Sequence, residues 1–399
     1  MPRVLLLLPT ATYRAPDFIE AARALGVEVV VASEERPVLA DTMGDRAVVV
    51  PLDDPVVGAA AIEALDAQRG IDAVVAVDDE GVLVAAHAGV SLGFPHNPPE
   101  AAARTRDKAA MRTALAAAEV PQPRFAVFDD PDDVPAVGFP CVVKPSGLSA
   151  SRGVIRADDA EAARAAARRA FDIAEGGQLL VEEYVPGDEL ALEGLLRDGQ
   201  LMVLALFDKP DALEGPYFEE TIYVTPARVD DATANRIERV VSDAAGAIGL
   251  KEGPIHAEVR IRDDRVWVLE VAARSIGGLC ARALRFGAGI SLEGVILRHA
   301  LGRELDDLAR EPTASGVMML PIPTAGRLSA VDGQDAARAV PGVIGLELTI
   351  PIGRQVRPLP EGDRYLGFVF ARADTPDEVE AALRAAHAAL DVVIEKDRP

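Results

Sequence analysis

Two glutamates, Glu258 and Glu270, stand in apolar runs, Ala257-Glu258-Val259-Arg260-Ile261 and Val266-Trp267-Val268-Leu269-Glu270-Val271, separated by Asp263-Asp264-Arg265. Side chains on a strand alternate between faces, so a hairpin with that three-residue loop sets Glu258 directly across from Glu270. The same register gathers Ala257, Val259, Ile261, Trp267, Leu269 and Val271 on the opposite, wholly apolar face. Two facing carboxylates repel unless a cation lies between them, and hard oxygen ligands select magnesium or manganese. An exposed sheet face on which these acids pair with Arg260 and Arg262 accounts for the spacing equally well, and spacing alone leaves both readings open.

Lys144 ends the apolar run Cys141-Val142-Val143 and precedes Pro145-Ser146-Gly147-Leu148-Ser149-Ala150-Ser151-Arg152-Gly153. Small residues let successive backbone N–H groups turn toward an anion, and a lysine at the root of the loop adds a point charge for phosphate. The loop lacks the G-K-[ST] ending of a P-loop, and a solvated turn is the competing reading. Lys108 opens a helix and by itself reads as a surface lysine. The stretch from Leu179 through Glu182-Glu183-Tyr184-Val185 to Pro186-Gly187-Asp188-Glu189 is a strand running into a turn. A strand that stops this way leaves N–H and C=O groups free to read the edge of an adenine, with acids nearby for ribose hydroxyls; an acidic surface hairpin is the alternative. His256 reads as a packed strand-end histidine.

The elements that must position these groups fall into distinct textures. From residue 3 to about 95, β-rich runs at Val4 to Leu8, Val27 to Ala32, Ala47 to Val50 and Ala73 to Val77 alternate with helical stretches, as in a doubly wound parallel sheet. The first strand ends in Pro9-Thr10-Ala11-Thr12-Tyr13 without G-x-G-x-x-G, which excludes a nicotinamide cradle there. Residues 140 to 205 read as a small α+β lobe whose Asp198-Gly199 turn joins two strands. A helix over Asp231 to Ile248 and another over Leu292 to Leu301 follow, then a further α+β unit ending in a helix from Pro376.

With 64 acidic against 41 basic residues, the formal charge of -23 repels nucleic acid and anionic membranes. Any ATP site must therefore concentrate its few lysines locally. No run approaches the ~20 apolar residues of a membrane span. Cys141 and Cys280, in no metal-type spacing, read as buried thiols in a reducing cytoplasm.

Taken in order, these pieces resemble the ATP-grasp superfamily. The matching series is Asp107-Lys108; Val143-Lys144-Pro145 with its loop; Glu182-Glu183-Tyr184-Val185 with Glu189; Glu258; and Leu269-Glu270-Val271-Ala272-Ala273-Arg274. The resemblance implies a multidomain α/β and α+β fold. A Rossmann-like domain over 1–105 would precede a two-lobed ATP-grasp domain over 106–305, with a lid lobe at about 140–207 and an α+β domain over 311–399. It implies ATP and Mg2+ (or Mn2+) as cofactors. Lys108 and Lys144 would contact the ATP phosphates and the adenine, the loop with Ser146, Ser149, Ser151 and Gly153 would close over the triphosphate, and Glu182, Glu183, Val185 and Glu189 would hold the adenosine. Glu258 and Glu270 would bind metal, and Arg274 would neutralise the acyl phosphate and the oxyanion formed as the amine attacks.

Within the superfamily, Phe218-Glu219-Glu220-Thr221-Ile222-Tyr223 and the tail motifs Gly326-Arg327-Leu328, Gly353-Arg354-Gln355-Val356 and Tyr365-Leu366-Gly367-Phe368 resemble the L-amino-acid ligase group. That implies a carboxylate–amine ligase acting on small molecules, with Glu220, Tyr223, Gly277 and Gly278 at the substrates. Two departures stand out: Ala272 occupies a position where the family usually has an asparagine metal ligand, and Tyr223 lies where some dipeptide ligases carry a histidine. A biotin-carboxylase-like or purine-pathway enzyme and a non-catalytic ATP-binding module are the rival expectations. A homodimer is the default for a symmetric soluble enzyme.

Overall fold

The computed structural model describes residues 1–36, 44–305 and 308–396. The last three residues of the expected C-terminal unit, 397–399, lie outside the described residues.

The N-terminal strands form a parallel sheet in the order Ala47–Val49, Glu28–Ser33, Arg3–Leu7, Ala73–Ala76. Helices Ala15–Ala24, Pro55–Arg69 and Val82–Leu92 accompany it, as the alternating pattern required. The run Val4 to Leu7 is fully buried, the mark of a parallel strand covered on both faces. Asp54 caps the second helix by accepting from Val57 N–H at 3.1 Å, ahead of Pro55 in its first turn. After strand Ala73–Ala76 the chain passes so close to the first strand that a side chain at Gly81 would meet Leu7 Cβ at 2.9 Å. That close approach carries Asp78 and Asp79 to the mouth of the site.

The lid sheet has the order Phe125–Phe128, Leu179–Glu183, Cys141–Pro145, Ile155–Ala157. Helix Ala160–Ile173 packs on it through Ala163, Ala166, Ala167 and Ala170, whose small side chains permit close approach. The hairpin over Asp188–Arg197 and Gln200–Asp208, expected in this lobe, belongs instead to an antiparallel eight-stranded sheet. The reason is edge pairing. Strand Asp188–Arg197 is hydrogen-bonded on one side to Gln200–Asp208 and on the other to Gly253–Arg262. Its turn is as expected, with Asp198 and Gly199 at φ 51° and 77° and Arg197 opposite Gln200.

The eight-stranded sheet also crosses the expected boundary at 305–311. Ile222–Thr225 pairs with Ala314–Leu320, which pairs with Gly367–Ala373 and then Val343–Leu348. The tail thus prolongs the sheet that carries the carboxylates, and this continuity brings its loops to the site.

Glu258 does lie opposite Glu270, by a different route from the expected three-residue loop. The turn is the two residues Asp263 and Asp264, at φ 49° and 58°, so Arg262 pairs with Arg265. A bulge between Glu258 and Val259 absorbs the extra residue and restores the glutamate pair. The expected apolar face changes accordingly. Val266 and Val268 join Ala257, Val259 and Val271 in the core, whereas Trp267 is only half-buried, opposite Arg260, and Leu269 lines a cleft.

Candidate functional site

Two adjoining clefts, of about 750 and 1450 Å³, share a wall made of Ser149, Ser151, Glu220, Glu258 and Glu270. The first lies between the lid sheet and the large sheet and is lined by Lys108, Lys144, Glu182, Glu183, Val185 and Glu189 together with apolar Val142, Phe218 and Leu269. The second opens toward the N-terminal domain and the tail, and contains Arg274, Tyr223, Gly277 and Gly278.

Lys108 begins helix Lys108–Ala117, capped by Asp107, which accepts from Ala109 and Ala110 N–H. Its Nζ donates to Leu148 O at 2.5 Å and lies 3.5 Å from Glu270 Oε1. Ser146 does not reach the cleft: its hydroxyl donates to Asp107 at 2.6 Å and ties the loop root to that cap. Gly153 also stays out, with φ +69°, packed where a Cβ would meet Pro145 Cγ at 2.9 Å, its N–H donating to Pro360 O. Both therefore shape the loop and stand outside the cleft lining. Ser149 and Ser151 do line the cleft, and Ala150 and Ser151 both adopt positive φ, which curls the chain as a phosphate cradle requires.

Lys144 Nζ meets Glu182 at 2.7 Å, and Glu182 is also gripped by Arg112 through Nε at 2.7 Å and Nη2 at 3.2 Å. Burial would raise the Glu182 carboxyl, but Arg112 and Lys144 outweigh it and hold it at about 2. Glu182 is thus spent on anchoring the two cations. Burial and the nearby Arg112 and Lys108 charges bring Lys144 down to about 8, despite Glu182. An ammonium carries its charge only below its pKa, so with Lys144 at the triphosphate, as the resemblance implies, ATP affinity is expected to weaken as pH rises through about 8. Calorimetric titration of ATP from about pH 7 to 9.5 checks this, with a flat profile expected for Lys144→Arg.

At the far end of the first cleft, Glu183 accepts from Arg124 at 2.6 Å, and its own N–H goes to Arg124 O. Val185 O accepts from Arg260 at 2.7 Å, while the Val185 N–H has no protein partner among the described residues. Glu189 is held by Lys209 and Arg260, each at 2.8 Å.

Sequence reasoning missed Lys209. Its buried ammonium meets Glu189 at 2.8 Å, Glu220 at 2.5 Å and Glu258 at 3.1 Å, beneath the Tyr223 ring. Burial opposes its charge, yet the three carboxylates raise its pKa well above that of a free lysine. A signal was present: the chain has only five lysines, 108, 144, 209, 251 and 396, and the first three converge here. Arg260, far from being a surface partner of Glu258 and Glu270, spans Glu189, Val185 O and Leu213 O and stacks near Tyr184 and Phe218.

Tyr223 is buried and donates to Glu220 at 2.6 Å. Burial and the neighbouring Glu258 raise the Glu220 carboxyl. Against burial, Lys209 and His256 lower Glu258 to about 2. His256 lies between Glu193, at 2.5 Å, and Glu258, at 3.5 Å. Burial alone would lower it, but Glu193 dominates and lifts it to about 9, making it a fixed cation and not a base. Glu193 also accepts from Ile276 N–H at 3.0 Å, and Arg14 donates to Ser275 Oγ at 2.8 Å, so buried side chains from two elements clamp the loop that carries Gly277 and Gly278. Arg274 is pinned by Asp79 at 3.0 Å.

The carboxylate pair suits a divalent ion. Lys209 and His256 beside Glu258, and Lys108 beside Glu270, keep both carboxylates ionised, as hard oxygen ligands for such an ion must be. Ala272 lines the second cleft and supplies no donor. Glu189, Glu220 and Glu258 also bring oxygens within 4.8 Å of one another, but there Lys209 already supplies the positive charge.

Comparison with known proteins agrees with this geometry. Family models match residues 19–96 as an ATP-grasp N-terminal domain, 137–283 as an ATP-grasp domain and 318–395 as L-amino acid ligase C-terminal domain 2. An uncharacterized protein of Sinorhizobium fredii is 25% identical over 410 residues, covering 98% of this chain and 83% of that protein. Alanine–anticapsin ligase of Bacillus subtilis is 25% identical over 264 residues, covering 59% of this chain and 55% of the ligase, so the chain spans about half the length of that relative. The L-amino acid ligase from Bacillus licheniformis has the same fold, with TM-score 0.82, 24% identity and 99% of each chain covered. With an ATP-grasp domain match that spans the lysine-rooted loop, an ATP-grasp N-terminal domain ahead of it and a ligase tail domain completing the sheet, the chain carries ATP-grasp domains together with an L-amino acid ligase C-terminal domain and is similar to ATP-dependent carboxylate–amine ligases.

Proposed function

We propose that the protein activates the carboxylate of an amino acid with ATP as an acyl phosphate and joins it to the amine of a second small molecule, releasing ADP and phosphate. The observation that carries this reading is the shared wall: Glu258 and Glu270 line both clefts, so a phosphoryl donor in one and a carboxylate in the other meet at the same two side chains.

In this reading Lys108, Lys144 and the curled loop at Ser149–Ser151 grip the triphosphate. The free Val185 N–H takes the adenine edge between apolar Val142, Phe218 and Leu269, and Glu183 and Glu189 border the nucleoside. Glu258 and Glu270 would hold Mg2+ (or Mn2+), and the ion would supply charge neutralisation for the transferring phosphoryl group. Arg274, kept charged and oriented by Asp79, faces the acyl phosphate and stabilises the oxyanion as the amine attacks. Glu220, with Tyr223 and Lys209 fixing its position, receives the amine.

Among the described residues no helix is long and apolar enough to cross a membrane. The two buried free cysteines suit a reducing cytoplasm, where we place the enzyme, acting on small molecules as a homodimer. A screen of amino acids in pairs, read by phosphate release, tests the function. Release that requires two substrates together is expected; release driven by bicarbonate or formate, or ATP binding without turnover, overturns it.

A further inference from the structure

Just past strand Arg265–Ala272, Arg274 sits in a stretch, residues 273–279, that is neither helix nor strand. No ladder of backbone hydrogen bonds fixes such a stretch, so groups from elsewhere must set where the guanidinium lies. It has two anchors. Nη2 donates to Asp79 at 3.0 Å, and Nη1 donates to the Ser275 carbonyl at 3.1 Å. The first anchor belongs to the N-terminal domain, just past strand Ala73–Ala76, and the second to the loop itself.

Arg14 is bound to both anchoring segments. From the residue ahead of helix Ala15–Ala24, its Nη1 donates to Val77 O at 2.7 Å and lies 3.5 Å from Asp78, the neighbour of Asp79. Its Nη2 donates to the Ser275 hydroxyl at 2.8 Å. Arg14 and Ser275 are each 2% exposed, and neither lines either cleft. Burying a guanidinium is expensive, and an apolar side chain of similar volume is often at least as stabilising. Stability alone therefore does not call for an arginine here. A planar fork that bonds two segments at a fixed separation does what no apolar side chain can. From the large sheet Glu193, fully buried and also outside both clefts, accepts from the Ile276 N–H at 3.0 Å. The two residues that follow Arg274 are thus each held by a buried charged group.

We infer that Arg14 is a positioning residue for Arg274: by fastening Val77 and Ser275 to one rigid guanidinium, it keeps the two anchors of Arg274 in register and so keeps that charge where the oxyanion develops. This rests on the ligase reading above. It gives the N-terminal domain a part in the chemical step and none in gripping the nucleotide.

The test uses the full-length enzyme with the substrate pair that gives the greatest phosphate release. Arg14→Met should lower kcat about 10- to 100-fold, the worth of a displacement of about 1 Å in a reacting group. The KM for ATP should stay unchanged, because Arg14 stands outside the nucleotide cleft. Arg14→Lys, with one nitrogen for two segments, should recover only part of the loss. Ser275→Ala, which deletes one of the bonds, should lower kcat about 5- to 10-fold and have no further effect in Arg14→Met. In Arg274→Lys, whose single nitrogen cannot span Asp79 and the Ser275 carbonyl, Arg14→Met should cost less than about 2-fold, whereas a purely structural role would keep its full effect. If urea unfolding shows Arg14→Met unfolded, Arg14→Lys and Ser275→Ala carry the test. Either of these with the kcat of the unaltered enzyme, a defect that lies in the KM for ATP, or an equal loss in the Arg274→Lys background would overturn the assignment. Absence of phosphate release from the unaltered enzyme with every pair would instead defeat the ligase reading itself.

Discussion

Glu270→Ala will lower ADP formation by at least about 10³-fold while leaving the protein folded. The factor corresponds to the several kcal/mol of transition-state charge stabilisation that a divalent ion provides to phosphoryl transfer. The fold should survive because the Glu270 side chain is about one-third exposed and its protein contact is a 3.5 Å approach to Lys108, an interaction worth at most about 1 kcal/mol. Loss of activity would therefore not trace to unfolding. The measurement is steady-state ADP release with saturating substrates across a magnesium titration, beside a urea unfolding curve. Turnover equal to that of the unaltered enzyme, at any magnesium concentration, removes the metal assignment.

Lys209→Met will destabilise the protein by about 3–5 kcal/mol, the usual cost of stripping a buried charge of its partner. Of its three acids, Glu189 keeps Arg260 and Glu258 keeps His256, but Glu220 keeps no cation among the described residues, only the Tyr223 hydroxyl and the neighbouring Glu258 carboxyl. The penalty should thus concentrate on Glu220, and the double variant Lys209→Met/Glu220→Gln should regain much of the loss. A pH signature follows. A carboxyl whose folded-state pKa is raised above its unfolded value costs stability when ionised, so the deficit is full at high pH and shrinks as pH falls through the folded pKa. Burial already raises Glu220 in the presence of Lys209, and removing the lysine raises it further. Urea unfolding at several pH values measures this; a deficit independent of pH and of Glu220 would show that Lys209 acts only through packing.

The gap between what local patterns revealed and what they missed has a physical origin. Period-two alternation located Glu258 and Glu270 opposite one another, and their pairing held even though turn and bulge each differed by one residue from the expected loop, because the two deviations cancel. Trp267 and Leu269 did not hold, since a bulge reverses the facing of residues on its far side. The family resemblance implies triphosphate contacts for Ser146 and Gly153; in the fold the Ser146 hydroxyl binds a helix cap and Gly153 packs on Pro145, contacts that a Ser/Gly-rich stretch does not spell out.

Short-range chemistry written in the chain was enough for the ATP-grasp motifs, the alternating strands of the N-terminal sheet and the facing of Glu258 and Glu270, because each is carried by residues close together in the sequence. The convergence of Lys209 on three acids, the bracing of Arg274 by Asp79, and the tail strands that extend the central sheet were settled only by folding. They join residues 11 to 195 positions apart, or strands paired across the expected domain boundary, and no local periodicity encodes such distances.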